Sequence, residues 1–500
     1  MLTFRRYKPK PNRYYIMSQQ PLKYSSNYNK NCQPTYPLEV VNKKALRSQF
    51  FNRISKNCLS TSDYIIIVGT LAILIGASVS FFLFQDEISA WYISYINTFL
   101  GKVLWVVSVL LLTLQLSFLA YLFILYKKYK PIESVHDSLL PTCTVIVPAY
   151  NEGRLVYETL LSLADSNFPS DKMEIICVDD GSKDDTWNWM LKAKKVLGNR
   201  LSIYQQPQNK GKRHALYHGF TTGKGDIFVT VDSDSIVEED TLRNLVSPFV
   251  NNRSCGAVAG NVRVLNKEEG LIPKMLHVSF TFSFEFVRSA QSTINTVLCT
   301  PGALAAYKRE AVLACLDEWV HQKFLGVPSA IGEDRAITNM ILKQGYQVKF
   351  QKNAMVYTNI PENYTTLYKM LLRWERSNIR ENIMMSKFAF THFRSENVWS
   401  ARWLLIMQWV KVIFALPLFA TLIFFVFAQP WVFLITSLTG IFVFSAIQML
   451  FYARRYNTSE GFLAFTYSIF YLFALFWIPS YAIVTARKSG WLTRQLSGDK

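Results

Sequence analysis

Two carboxylates two residues apart, Asp232 and Asp234, follow the apolar run Ile227-Phe-Val-Thr-Val231. That run predicts a buried strand with both acids at its C-terminal tip, where ligands collect in open α/β sheets. Acids at i and i+2 in a turn can share one hard divalent cation, and Mg²⁺ commonly takes one or two carboxylates plus substrate phosphates. A second acidic pair, Glu333-Asp334, follows Gly332 and could supply a general base. Arg373-Trp374 comes next and opens a basic amphipathic segment that leads towards apolar sequence. In this order the residues point to a membrane-embedded enzyme that handles a nucleotide diphosphate.

Three further stretches sit at predicted strand ends. Val147-Pro-Ala149-Tyr150-Asn-Glu152 offers backbone, a small residue and an aromatic, which can seat a flat base. In Val178-Asp-Asp180-Gly-Ser-Lys-Asp-Asp-Thr186, Asp180 could bind a uracil edge or a ribose hydroxyl. The plainer reading is a polar turn that caps the next helix with Asp184 or Asp185. Gln208-Asn-Lys-Gly-Lys212-Arg-His214 places cations on a glycine-containing loop suited to phosphate oxygens, or is simply a charged surface loop. All three precede the paired acids at consecutive strand ends, and none of the plain readings requires that order.

The elements that must position them follow from periodicity. Strands are predicted at 144–148, 174–179, 201–204 and 227–231, with helices over 152–166 and from 186. Strands alternating with helices of 10–15 residues indicate a mostly parallel, doubly wound sheet. A helix over 335–343 and an edge strand over 347–356 follow the second acidic pair. Residues 364–388 then read as a basic amphipathic helix lying in a membrane interface.

Half of the 500 residues are hydrophobic and 18% are charged, which fits a soluble α/β domain spliced between membrane segments. Residues 64–84 and 104–126 are apolar runs long enough to cross a bilayer, as are 403–427 and 431–452. Residues 462–484 are apolar but interrupted by Pro479. Lysines at 127, 128 and 130 and the acids Asp86 and Glu87 put the domain that follows on the cytoplasmic side of a plasma or inner membrane. Three full crossings after that domain would leave the C-terminus outside, so the last segment is expected to re-enter or to lie partly in the interface. The net charge of +19 is uneven, with twelve Lys/Arg against the single Glu39 in residues 1–60, a basic tail expected to be mostly disordered. No recognition motif accompanies it, which argues against a nucleic-acid partner. The seven cysteines show no metal-ligand spacing. The expected organisation is a tail (1–60), two transmembrane helices (61–130), the α/β domain (140–360), interface helices (361–400), membrane or interface helices (401–485) and a C-terminal tail (486–500).

The motifs VPAYNE, VDDGSKDDT, NKGKR, DSD, GED and RW together resemble family-2 glycosyltransferases, over roughly residues 140–385. Within that group the chain looks most like the processive β-glycan synthases that make hyaluronan, chitin oligosaccharides or chitin. Phe284-Glu-Phe-Val-Arg-Ser-Ala-Gln-Ser292 is similar to an interface stretch there, Val297-Leu-Cys299-Thr-Pro-Gly302 to an acceptor loop, and Trp491-Leu-Thr-Arg494 to a gating WGTR tail. Three departures stand out: Met370 replaces the Gln of QxxRW, Leu492 replaces the Gly of WGTR, and the acceptor loop reads CTPG. The resemblance implies an A-type nucleotide-sugar-binding fold and a set of roles. Ala149, Tyr150, Glu152 and Asp180 would contact uridine, and Lys212 the diphosphate. Asp232 and Asp234 would hold the pyrophosphate and a Mg²⁺ or Mn²⁺ ion. Asp334, with Glu333 beside it, would act as base, and Arg373 would offset charge on the leaving UDP. Trp374 and Cys299 would meet the acceptor, while Trp491 and Arg494 close over the nucleotide. The implied partners are a UDP-sugar, a growing polysaccharide and the lipid bilayer. The alternatives are a transferase adding one sugar to a lipid carrier and a catalytically silent membrane receptor.

Overall fold

The computed structural model describes residues 59–456, 458–488 and 490. Strands β1 (Cys143–Ala149), β2 (Met173–Asp179), β3 (Leu201–Gln205) and β4 (Ile227–Val231) form the first half of an eight-stranded sheet. Val and Ile dominate these segments, β1 and β4 are buried at every position, and all four run parallel in the order β3-β2-β1-β4. Continuous burial is what a strand covered on both faces requires. Helices α3 (Leu155–Ala164), α4 (Thr186–Leu197) and α5 (Lys212–Thr222) are the connections, so each loop that leaves a strand tip opens on the same edge.

The second half of the sheet continues β4-β7-β6-β10-β5. Here β6 (Cys255–Val264) and β10 (Gln347–Thr358) are parallel, β7 (Leu304–Lys308) runs antiparallel between β4 and β6, and β5 (Ser235–Val237) pairs antiparallel with the end of β10. The doubly wound expectation therefore holds with local antiparallel pairs. The strand predicted at 347–356 is not an edge strand: it lies between β6 and the three-residue β5, a segment too short to show a period of its own. A small hairpin, β8 (Lys323–Phe324) and β9 (Val327–Pro328), precedes the second acidic pair.

Among the described residues, four helices are long and apolar enough to cross a membrane: α1 (Thr61–Leu83), α2 (Phe99–Lys128), α10 (Val398–Ala428) and α11 (Pro430–Tyr456). The segment predicted to be interrupted is a bent pair, Ser459–Leu475 and Trp477–Val484, meeting at 43°. Pro479 has no N–H to donate to the carbonyl of Leu475, so the helix ladder weakens at the bend. Between the domain and α10 lies α9 (Tyr364–Ala389), capped by the Asn363 side chain accepting from the Thr366 N–H. Its apolar residues Leu367, Met370, Leu372 and Ile379 pack with Leu475, Ile478 and Ala482 of the bent pair. The helix that carries Arg373-Trp374 is thus seated between the α/β domain and the apolar helices.

Candidate active site

The strand tips converge on one cavity of about 500 Å³. Ala149, Tyr150 and Glu152 line it from the end of β1, Asp180 from the end of β2, and Lys212 from the start of α5. Asp232 and Asp234 reach it from the β4–β5 turn, Cys299 from the loop before β7, and Glu333 and Asp334 from the start of α8 (Glu333–Lys343). Arg373 and Trp374 close it from α9. Twelve of the fourteen residues expected to form the site therefore share one cavity. Trp491 and Arg494, expected to gate it, lie outside the described residues.

Asp180 is bound on both oxygens by backbone. It accepts from Lys210 N at 2.9 Å and Gly211 N at 2.8 Å, which pins the glycine loop ahead of Lys212. Gly181 has φ +73°, and a Cβ there would lie 2.7 Å from the Gln208 carbonyl carbon, so the two loops touch through bare backbone. The N-cap of α4 is Asp185, which makes no side-chain capping bond; the preceding Asp184 accepts from Thr186 N at 3.0 Å, and Thr186 Oγ1 accepts from Glu152 N at 2.9 Å. One turn thus holds the first residue of α4 and fixes the end of β1.

Lys212 is ion-paired with Asp232, and its Nζ lies 3.4 Å from Glu333 Oε1. Burial works against its ammonium, yet Asp232 and then Glu333 outweigh that and hold its pKa above the ordinary lysine value. Glu333 and Asp334 occupy the first turn of α8, two residues earlier than the periodicity suggested, where the helix dipole favours negative charge. Trp319 fixes the backbone there, its Nε1–H donating to Glu333 O at 2.9 Å. Burial acts to raise the Glu333 carboxyl, but the Lys212 charge overrides it and keeps Glu333 below its usual range. Asp334 goes the other way, pushed up by burial and then by the like charge of Glu333. Its Oδ1 accepts from Arg335 N at 2.7 Å and its Oδ2 from the Cys299 thiol at 3.6 Å. Two adjacent acids with opposite shifts make one a standing anion and the other a group poised to exchange a proton.

Arg335 latches α8 onto α9, donating to Asn378 and, at 2.6 Å, to Asn382 Oδ1. Asn339 adds a bond to Glu381 Oε2 at 2.8 Å. These ties set Trp374 and Arg373 against the mouth that Asp334 occupies. Trp374 is 41% exposed, and its ring centroid lies 6.0 Å from that of Phe280. Among the described residues, no group of three or more His, Cys, Asp and Glu is gathered closely enough to hold a metal by itself. Asp232 and Asp234 supply two carboxylates two residues apart, the part of a Mg²⁺-type site that protein provides when substrate phosphates supply the rest. The sequence reading left out Phe280 and Ser283 and placed Phe284 and Arg288 only in a stretch similar to an interface segment, yet all four also line the cavity. Three of them sit on a π-helical turn, whose period no apolar pattern announces.

Residues 144–315 match the family described as Glycosyl transferase family 2. The chain is 29% identical over 371 residues to an N-acetylglucosaminyltransferase of Rhizobium meliloti (strain 1021), covering 72% of this chain and 83% of that one. It is also 29% identical over 395 residues to a hyaluronan synthase of Streptococcus pyogenes, covering 78% and 89%. Among solved structures, a mannosyltransferase from Pyrobaculum calidifontis in complex with GDP-Man and Mn²⁺ aligns with a TM-score of 0.42 at 20% identity, over 72% of this chain and 97% of that one. The chain carries a family 2 glycosyltransferase domain over residues 144–315 and is similar over most of its length to an N-acetylglucosaminyltransferase and a hyaluronan synthase.

Proposed function

We propose that this glycosyltransferase is a processive, inverting synthase. It takes a UDP-sugar on the cytoplasmic side of the plasma or inner membrane, extends a β-linked polysaccharide and passes it out through its own apolar helices. One observation carries the reading: nucleotide-side groups (Tyr150, Asp180, Lys212), reacting acids (Asp334, Glu333) and the Arg373-Trp374 helix that abuts the membrane segments all line one cavity.

The chemistry follows from the residues. Tyr150, Ala149, Glu152 and Asp180 hold the uridine, and Lys212 exchanges Asp232 for a diphosphate oxygen. Asp334 takes the proton from the acceptor hydroxyl as that oxygen bonds to the anomeric carbon. The bond from that carbon to the diphosphate breaks on the opposite face, which inverts the configuration. Lys212 and Arg373 offset the charge on the departing UDP. Asp234 and Asp232 fit a Mg²⁺ or Mn²⁺ ion, which when bound would neutralise the diphosphate. Trp374 and Cys299 seat the acceptor sugar. A hyaluronan- or chitin-like product, from UDP-GlcNAc with or without UDP-glucuronate, is supported by the names of the relatives.

The test is UDP release by the detergent-purified chain with Mg²⁺ or Mn²⁺ across UDP-sugars, singly and in pairs, with products sized on a gel. A high-molecular-weight product that disappears in Asp334→Asn supports the reading. Release of UDP with only single-sugar products, or full activity in the variant, refutes it.

A further inference from the structure

Beyond the reacting acids, one wall of the cavity is the π-helical turn Phe282–Arg288, from which Ser283, Phe284 and Arg288 face the cavity. The Arg288 guanidinium lies 3.7 Å from the centroid of the Phe284 ring. Its Nη1 is sealed from solvent and has no hydrogen-bond partner. The acid three residues before it does not serve it. Glu285 is committed to Arg263, to Lys352 at 3.2 Å, to Arg455 at 3.1 Å and to Tyr456 OH at 2.7 Å. Burial pulls the Arg288 pKa down from the ordinary arginine value, and the carboxylate that acts against this is Asp334.

A buried N–H without an acceptor is costly to keep, so such a group in a cavity wall is explained when a ligand supplies the acceptor. The ligand in question is not the nucleotide, whose residues are at Tyr150, Asp180 and Lys212. Arg288 belongs with Asp334, Cys299 and the ring series Phe284–Phe280–Trp374, whose successive centroids are 5.9 and 6.0 Å apart. That series offers apolar faces to a sugar ring, and Arg288 lies at its inner end beside the base. A guanidinium 3.7 Å over a ring centroid presents its N–H groups in its own plane, a better match for a carbonyl or carboxylate oxygen than for a hydroxyl.

We propose that Arg288 is a specificity-determining residue of the acceptor subsite, reading an sp² oxygen carried by the acceptor sugar: the amide carbonyl of an N-acetyl group or the carboxylate of a uronate. This rests on the reading of the cavity as a sugar-polymer synthase site and deepens it. A plain glucosyl acceptor lacks such an oxygen and offers Nη1 only hydroxyl oxygens, which are weaker acceptors.

The experiment measures binding of three tetrasaccharides to the full-length, UDP-loaded protein by calorimetry, and separately their stimulation of UDP release. One is terminated by N-acetylglucosamine, one by glucuronate and one is all glucose. The wild type is expected to bind one of the first two about 10- to 100-fold more tightly than the third, the range for one hydrogen bond to a charged group. Which one is preferred identifies the oxygen. Arg288→Met should bind all three alike, and Arg288→Lys should recover part of the preference. UDP affinity within about twofold of wild type reports an intact fold. Equal binding of all three by the wild type, or the full preference retained in Arg288→Met, overturns the inference. If Arg288→Met does not fold, Phe284→Leu removes the ring beneath the guanidinium and should erode the same preference; its retention there overturns the inference equally. Binding preference without any UDP release would instead count against the synthase reading and leave the Arg288 subsite standing.

Discussion

Lys212 Nζ lies 3.4 Å from Glu333 Oε1 while it pairs with Asp232, so one ammonium joins the acids of the β4 tip to those of α8. The two acidic motifs are about a hundred residues apart in the chain, and this cation is their meeting point. Removing it exposes Asp232 and Glu333 to each other's charge and deletes a diphosphate contact. Lys212→Met should therefore weaken UDP binding roughly tenfold or more, with the loss shrinking as salt rises. Calorimetric titration with UDP at two ionic strengths checks it, and an unchanged dissociation constant would take Lys212 out of the nucleotide site.

Asp334 is raised by burial and then by the charge of Glu333. A base acts in its ionised form, so activity should fall as pH drops through the raised pKa of Asp334. Glu333→Gln removes the like charge and should move that acid limb to lower pH, whatever it does to the maximal rate. Asp334→Asn should reduce transfer about 10²- to 10⁴-fold, the usual range for a general base, with UDP binding kept. The pH dependence of UDP release in wild type and Glu333→Gln decides it. An acid limb that stays in place or moves to higher pH would show that Glu333 does not set the proton affinity of the base.

The parts of this site that could be read from the sequence are those in which one short segment carries both the strand and its functional tip. VPAYNE, VDDGS and DSD each follow an apolar run, so β1, β2 and β4 and the residues at their ends came out together. Where neighbours are supplied from far along the chain, reading failed. β7 lies between β4 and β6 through pairings with residues such as Val229 and Ala257, which no local period reveals. β10 read as an edge because its outer neighbour, Ser235–Val237, has three residues. Arg288 was read only as part of an interface stretch and not as a site residue, because a π turn, not a regular helix, brings it to the cavity. Pro479 was legible because its missing N–H acts within one turn of itself.

Gly332 has φ +78°, and a Cβ there would collide with the Ser377 side chain on α9. The left-handed conformation alone costs an L residue about 1–2 kcal/mol. Relieving the collision would push Glu333 and Asp334 away from Arg373 and Trp374. Gly332→Ala should thus lower the turnover rate by more than it lowers UDP affinity, since Asp180 and the Lys212–Asp232 pair lie on other elements and lose only the Glu333 contact. Steady-state rates beside UDP titration separate the two. A loss confined to UDP affinity would mean that the close approach of α8 and α9 does not govern the reacting geometry.

Glu285 is 1% exposed and meets Arg263 of β6, Lys352 of β10, and Arg455 and Tyr456 at the end of α11. Burial alone would raise its carboxyl, but Arg263, the Tyr456 hydroxyl and then the other cations bring it down to about 2. A depressed carboxylate contributes stability that is present above its unfolded value near 4.5 and is lost as pH falls towards 2. The gap corresponds to about 3 kcal/mol at neutral pH. Because the same carboxylate neutralises three cations, Glu285→Gln leaves the buried Arg263 facing Lys352 and the half-exposed Arg455, a loss of roughly 3 kcal/mol once solvent screening of Arg455 is allowed for. The cations come from the sheet and from the end of an apolar helix, so the variant should loosen the attachment of α11 to the domain. The prediction is a lower melting temperature in detergent at pH 7 and a smaller difference between variant and wild type at pH 4. An equal melting temperature at pH 7 would mean that the cations rearrange freely, and that Glu285 does not fasten the apolar helix α11 to the α/β domain.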